Sequence, residues 1–235
     1  MLFATIVLAE VKQAYKTCQA IDIQIHSNGA QQFIDTKLLY QQLTTSHQPP
    51  VLGQPLRTLT TKPIENTIKS DNFVHKSIVY KSWQGVLNIA IWPRKPIARI
   101  LYTHQPSQYI DEEGQLLPLS DRYTARVPLI EADHLPGVQN DLHESPYGRA
   151  LLALLRHIAQ DKFWRAQIAH LCIDAQGKIV FHTQISKQRV EFGPPQDVAS
   201  KLAKLQLFYQ KIVPHKGWNA YKRVNLEFAN QIVCE

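Results

Sequence analysis

Ten histidines and three cysteines are the residues here with the plainest route to chemistry, because imidazole and thiolate are zinc's usual ligands. A zinc site on a helix wants two histidines four apart beside a carboxylate, and a zinc knuckle wants cysteines in C-x-x-C pairs. Neither spacing occurs. Cys18, Cys172 and Cys234 are too few and too distant for a knuckle or a disulfide framework, and three thiols cannot all pair within one chain. They read as incidental and fix no compartment. Asp133-His134 and His143-Glu144 come nearest to a cluster, but they flank Pro136-Gly137 and read as surface polar residues of a loop. Asp111, Glu112 and Glu113 resemble a paired-carboxylate acid–base site, yet three adjacent acids before Gly114 read as a hydrated turn tip. No nucleophile elbow, phosphate loop or dinucleotide turn is present. The chain is therefore expected to be no enzyme, with no catalytic, cofactor or metal site.

Without catalysis the work falls to surfaces, and so to the elements that present them. At 235 residues there is room for two modest domains with real cores. A formal charge of +7 and a pI near 9.3 permit attraction to anionic partners. The basic residues are scattered, however, and form no tract of the kind nucleic acid requires. Residues 2–9 are apolar but for Thr5, and as a helix they reach only about 12 Å, short of the roughly 30 Å of a bilayer core. No basic segment precedes them and no small-residue cleavage site follows, which argues against a secretion signal. A short buried helix and the outer half of a longer membrane helix both fit.

The first half of the chain has a compact pattern. Ile21, Ile23 and Ile25 alternate with Asp22, Gln24 and His26, the signature of a half-buried strand. Asn28-Gly29 turns the chain, and Phe33-Ile34-Asp35 leads into a helix through Leu43 with Leu38, Leu39 and Leu43 inward. The Pro-rich stretch 48–55 must be loop, and Pro63 opens a second helix ending at Ser70. Strands at 74–82 and 86–92 form a hairpin around Gln84-Gly85. The order is strand, helix, helix, strand, strand. Pro93-Arg94-Lys95-Pro96 then marks a domain boundary.

Beyond that boundary the chain is mostly β, so the whole is α+β. A strand is expected at 97–102, with 111–114 as its turn and 115–119 as its return. Residues 124–130 alternate again. A helix over Pro146–Gln160 points Tyr147, Leu151, Leu154, Leu155 and Ile158 inward, capped by Ser145. Strands at 168–173 and 178–185 flank the turn 174–177, and 189–192 is another strand. The last helix, 197–212, carries Val198, Leu202, Leu205, Tyr209 and Ile212 as one stripe that must pack on something flat. A continuous strand over 224–233 follows Gly217-Trp218. As the last strand of its sheet, it is expected to keep one row of backbone groups open to a strand from another chain.

Several runs, in order, resemble FtsQ/DivIB-type bacterial cell-division proteins. They are residues 83–89 and 93–100; Tyr109-Ile110-Asp111 with Gly114 and residues 117–120; and Glu191-Phe192-Gly193. Lys201-Leu202, Lys204-Leu205, Phe208-Tyr209, Gly217-Trp218, Tyr221 and residues 224–226 and 230–234 continue the match, which covers nearly the whole chain. The resemblance implies a POTRA domain at 19–95 and a β domain at 96–235. Residues 1–18 then become the trailing part of a single membrane anchor or an N-terminal helix. It places the protein in the inner membrane at the division septum, with its bulk on the periplasmic side.

It further implies a scaffold that helps control septal peptidoglycan synthesis and binds FtsB-like and FtsL-like partners by strand addition. The implied partner-binding residues are Val224, Asn225, Leu226, Glu227, Phe228, Ala229, Asn230, Gln231 and Ile232. Phe228 occupies the family's aromatic contact position and Asn230 a small polar one, while a further aromatic of the relatives falls past Glu235. Leu226 and Val233 read as core residues, and Phe228 reads equally as core or contact. Proline at Glu227 or Ala229, whichever turns its N–H to the open edge, is expected to abolish binding. The strand at 74–82 offers other division proteins a second edge. The rival reading, a POTRA-bearing translocation or outer-membrane assembly factor, would need a membrane barrel to follow.

Overall fold

A computed structural model describes residues 16–26, 30–46, 49–184, 188–218 and 220–235. The apolar run 2–9, the Asn28-Gly29 turn, Gln48 and Ile185 lie outside the described residues. The chain divides into two compact units, the first ending at Lys95 and the second beginning at Pro96.

In the first unit β1 (Ala20–Ile25) lies parallel to β3 (Val86–Pro93), which pairs antiparallel with β2 (Val74–Lys81), giving the order β1-β3-β2. α1 (Thr36–Gln41) starts where the Asp35 carboxylate accepts from the Lys37 and Leu38 amides, and it continues as a π-helical turn to Ser46. α2 (Thr61–Lys69) carries Pro63 in its first turn. Leu39, Leu43, Ile64 and Ile68 of these helices pack with Val79, Leu87, Ile89 and Ile91 of the sheet. Leu38 does not join them; it is exposed, because the short α1 turns only one side to the sheet.

The second unit is a nine-stranded sheet. Its strands are β4 (Pro96–Tyr102), β5 (Gln108–Asp111), β6 (Leu116–Pro118), β7 (Leu129–Ala132), β8 (Ile168–Ile173), β9 (Ile179–Thr183), β10 (Arg189–Gly193), β11 (Arg223–Asn225) and β12 (Val233–Cys234). Their order is β12-β11-β10-β9-β8-β7-β4-β5-β6, and five of the eight pairings are antiparallel. α3 (Pro146–Gln160) and α5 (Val198–Leu207) cover one face. Leu151, Leu154 and Leu155 of α3 and Leu202 and Leu205 of α5 share a core with Ile130, Leu171, Phe181 and Phe192. Ser145 caps α3 by accepting from the Gly148 amide.

Three expectations need correction here, and one helix was not expected. The turn at 111–114 joins β6 not to β4 but to β5, a strand of four residues too short to alternate visibly. Residues 124–128 form no strand, and Pro128 stands directly before β7. A second helix, α4 (Lys162–Gln167), follows α3, started by the Asp161 carboxylate accepting from the Phe163 and Trp164 amides. α5 loosens into a π turn at Phe208–Ile212 before the short α6 (Val213–Lys216). That change of pitch rotates Phe208 and Val213 inward and leaves Ile212 exposed.

Candidate functional site

The expected strand over 224–233 is instead a hairpin. Only Arg223–Asn225 and Val233–Cys234 are strands, paired antiparallel with Val224 opposite Cys234 and Asn225 opposite Val233. β11 also lies parallel to β10, Val224 opposite Val190 and Asn225 opposite Glu191. Both flanks of Val224 and Asn225 are therefore already paired within the chain, and neither presents an open row. The cause is local. The Asn225 carboxamide oxygen accepts from the Glu227 amide at 2.8 Å, an Asx-type turn that ends β11. Asn225 and Asn230, both turn formers poorly suited to strands, were the signal in the sequence.

The sheet's edge is now β12. Arg223 and Glu235 exchange both backbone hydrogen bonds, each 3.0 Å. Alternation along an antiparallel ladder then turns the N–H and C=O of Cys234 away from β11. Among the described residues no strand pairs that outer flank. Glu227 and Ala229, where proline was expected to act, lie in the turn, and the Glu227 amide is bonded inward.

The remaining implied residues divide cleanly. Leu226 is buried in the core, Ile232 is partly buried against it, and Glu227, Ala229, Asn230 and Gln231 are exposed in the turn. Phe228 is 48% exposed, which makes it a surface side chain. The turn is nevertheless held. Lys204 of α5 donates to the Leu226 and Phe228 carbonyls, and Glu227 forms an ion pair with Lys178 at 3.3 Å. Gly193, at φ 72°, leaves the room that Glu227 fills; a Cβ there would lie 2.6 Å from the Glu227 Cγ.

One turn before Lys204, Lys201 performs a stricter task. It is only 7% exposed, and its ammonium donates to the Phe192 and Pro194 carbonyls at 2.9 and 2.8 Å over the Phe192 ring. Burial pushes this amine below the usual lysine range. Lys201→Met keeps the stem but strands both carbonyls, and it is expected to cost about 1–3 kcal/mol, read as a lower urea midpoint. Behind the hairpin, Trp218 stacks on Tyr209 and Tyr221 packs on Phe208, so the aromatic residues around Gly217 brace the tail of α5.

Residues 95–235 match the family described as FtsQ/DivIB, C-terminal related. The chain belongs to that family. Residues 16–92 match the POTRA-like domain, in accord with the β-α-α-β-β order of the first unit. The chain is similar to the cell division protein FtsQ of Salinibacter ruber, 24% identical over 77% of this chain and 71% of that protein. It is also similar to the FtsQ of Rhodothermus marinus, 27% identical over 77% of this chain and 67% of that one. Among the described residues no helix of this FtsQ/DivIB-family chain is long and apolar enough to cross a membrane.

Proposed function

We propose that the chain is a non-enzymatic scaffold of the cell-division machinery that captures an extended segment of an FtsB-like partner on the outer flank of β12. The observation that carries this reading is the position of β12 at the end of the nine-stranded sheet, with the backbone N–H and C=O of Cys234 directed away from β11. Strand addition draws affinity from main-chain hydrogen bonds, each worth about 0.5–1.5 kcal/mol net, and selectivity from neighbouring side chains. Phe228, Asn230 and Gln231 stand exposed in the adjoining turn for that second purpose. Val224, Asn225 and Leu226 act from beneath, holding the edge in register. An FtsL-like chain would arrive with its FtsB-like companion, and the complex would bear on septal peptidoglycan synthesis. Membership of the family supports a membrane-anchored protein with its bulk in the periplasm at the septum.

Hydrogen exchange tests the reading. Adding the soluble segment of an FtsB-like partner is expected to slow exchange at the Cys234 amide more than at Val233, whose N–H already faces β11. Protection confined to the first unit would overturn it. The first unit supplies a second surface to other division proteins at β2, an edge strand whose Ile78 and Tyr80 are exposed.

A further inference from the structure

The face of the nine-stranded sheet turned away from α3 and α5 brings together three side chains that lie far apart in the sequence. Glu131 sits on β7, and His170 and Cys172 sit on β8. The two strands run parallel with Glu131 directly opposite Cys172, so both side chains leave the same face, and His170 lies two residues before Cys172 on that face. The core-side neighbours Ile130 and Leu171 alternate with them and are fully buried, which fixes the orientation. The Glu131 carboxylate then meets the His170 Nε2 at 3.1 Å with one oxygen and the Cys172 Sγ at 3.8 Å with the other.

A carboxylate oxygen, an imidazole nitrogen and a thiolate sulfur bound to one tetrahedral zinc at 2.0–2.3 Å lie about 3.3–3.8 Å from one another. The potential ligand atoms of Glu131, His170 and Cys172 all fall within 4.8 Å, the one such group of three among the described residues. The mixed O, N and S donor set and the spacing of its ligand atoms suit a cation of borderline softness without directional demands. Calcium and magnesium would want more oxygens than one carboxylate supplies.

We propose that Glu131, His170 and Cys172 chelate a single zinc ion, which pins β7 to β8 at the centre of the sheet. The fourth position faces solvent beside His182, which lies opposite His170 on β9 and is exposed. The shallow hollow there, about 230 Å³, is lined by Cys172, Val180, His182 and Arg189. Such a site takes a water, or an exogenous ligand, as its fourth partner.

The test uses the full chain, stripped with a chelator and kept reduced by a phosphine. Zinc affinity is measured against a chromophoric chelator, and cobalt(II) serves as the spectroscopic probe. One equivalent of cobalt is expected to give the d–d bands of a four-coordinate ion together with a thiolate-to-metal absorption in the near ultraviolet. Cys172→Ser is expected to abolish that absorption, whereas a Cys18→Ser/Cys234→Ser double variant retains it. Loss of an outer-shell partner already weakens a metal site about 10- to 100-fold, so Glu131→Gln and His170→Ala should each weaken zinc at least that much. Zinc should also raise the Tm of the parent chain and leave that of Cys172→Ser unmoved. Glu131 is exposed and His170 and Cys172 are partly exposed, so the metal-free variants should melt with the parent chain. No binding at millimolar zinc, or a thiolate absorption that survives Cys172→Ser, would reduce the cluster to a surface Glu131–His170 contact and overturn the proposal.

Discussion

Cys234→Pro is expected to weaken capture of an FtsB-like strand by about 5- to 150-fold while leaving the second unit folded. The estimate is the roughly 1–3 kcal/mol that follows when one partner of a ladder bond is removed and the other is stranded. Proline is tolerated at an edge position whose N–H faces outward, because no bond inside the sheet is lost. Cys234 is such a position: its N–H points away from β11, while the flanking Glu235 and Val233 point toward it. Val233→Pro provides the contrast, since it removes a bond that closes the hairpin and should unfold β12 itself. Cys234→Ala removes the thiol but keeps the backbone donor, and it should bind like the parent chain. If Cys234→Pro and Cys234→Ala bind alike, the incoming segment is not adding to this edge.

That experiment replaces the one suggested by the sequence, and the reason is instructive. Residues 224–233 look like one strand because Val224, Leu226 and Phe228 alternate and Ile232-Val233 resume the apolar pattern. Alternation reports which side chains are buried; it does not report whether the backbone continues straight. The Asn225 side chain bends the chain by bonding to the Glu227 amide, a contact of two residues' span with no period to detect. Long periodic elements were readable: α3 runs over the residues its pattern marked, and β8 does likewise. The short β5 and the six residues of α4 were not, since each owes its form to tertiary packing, as Trp164 at 2% exposure shows. The cluster at Glu131 was beyond reach for a further reason. Its members belong to strands that become neighbours only through the crossover that carries α3, so no spacing in the sequence encodes the site.

Gly148→Ala should destabilise the second unit by about 2 kcal/mol or more, against the usual sense of that substitution. Alanine normally gains about 0.5–1 kcal/mol over glycine inside a helix. Here the added methyl would stand 2.2 Å from the Leu142 carbonyl oxygen and 2.9 Å from both the Leu142 carbonyl carbon and the Val138 Cγ2. Two of those atoms are backbone, so no side-chain rotation relieves the clash, and either α3 or the turn Leu142–Glu144 must move. Overpacking of this kind costs about 1–3 kcal/mol and at times more, which exceeds the propensity gain. The turn is not free to yield: the Leu142 amide donates to the Gly114 carbonyl, and Arg149 donates to the His143 carbonyl. Displacing it would drag on the β5–β6 connection and on the first turn of α3 together. Ala153→Gly, on the exposed side of the same helix, is the matched comparison and should lose about 1 kcal/mol through propensity alone. Urea unfolding followed by hydrogen exchange in α3 separates the two causes. A Gly148→Ala variant more stable than its parent would mean that the close approach of α3 to residue 142 is not what holds this corner of the sheet.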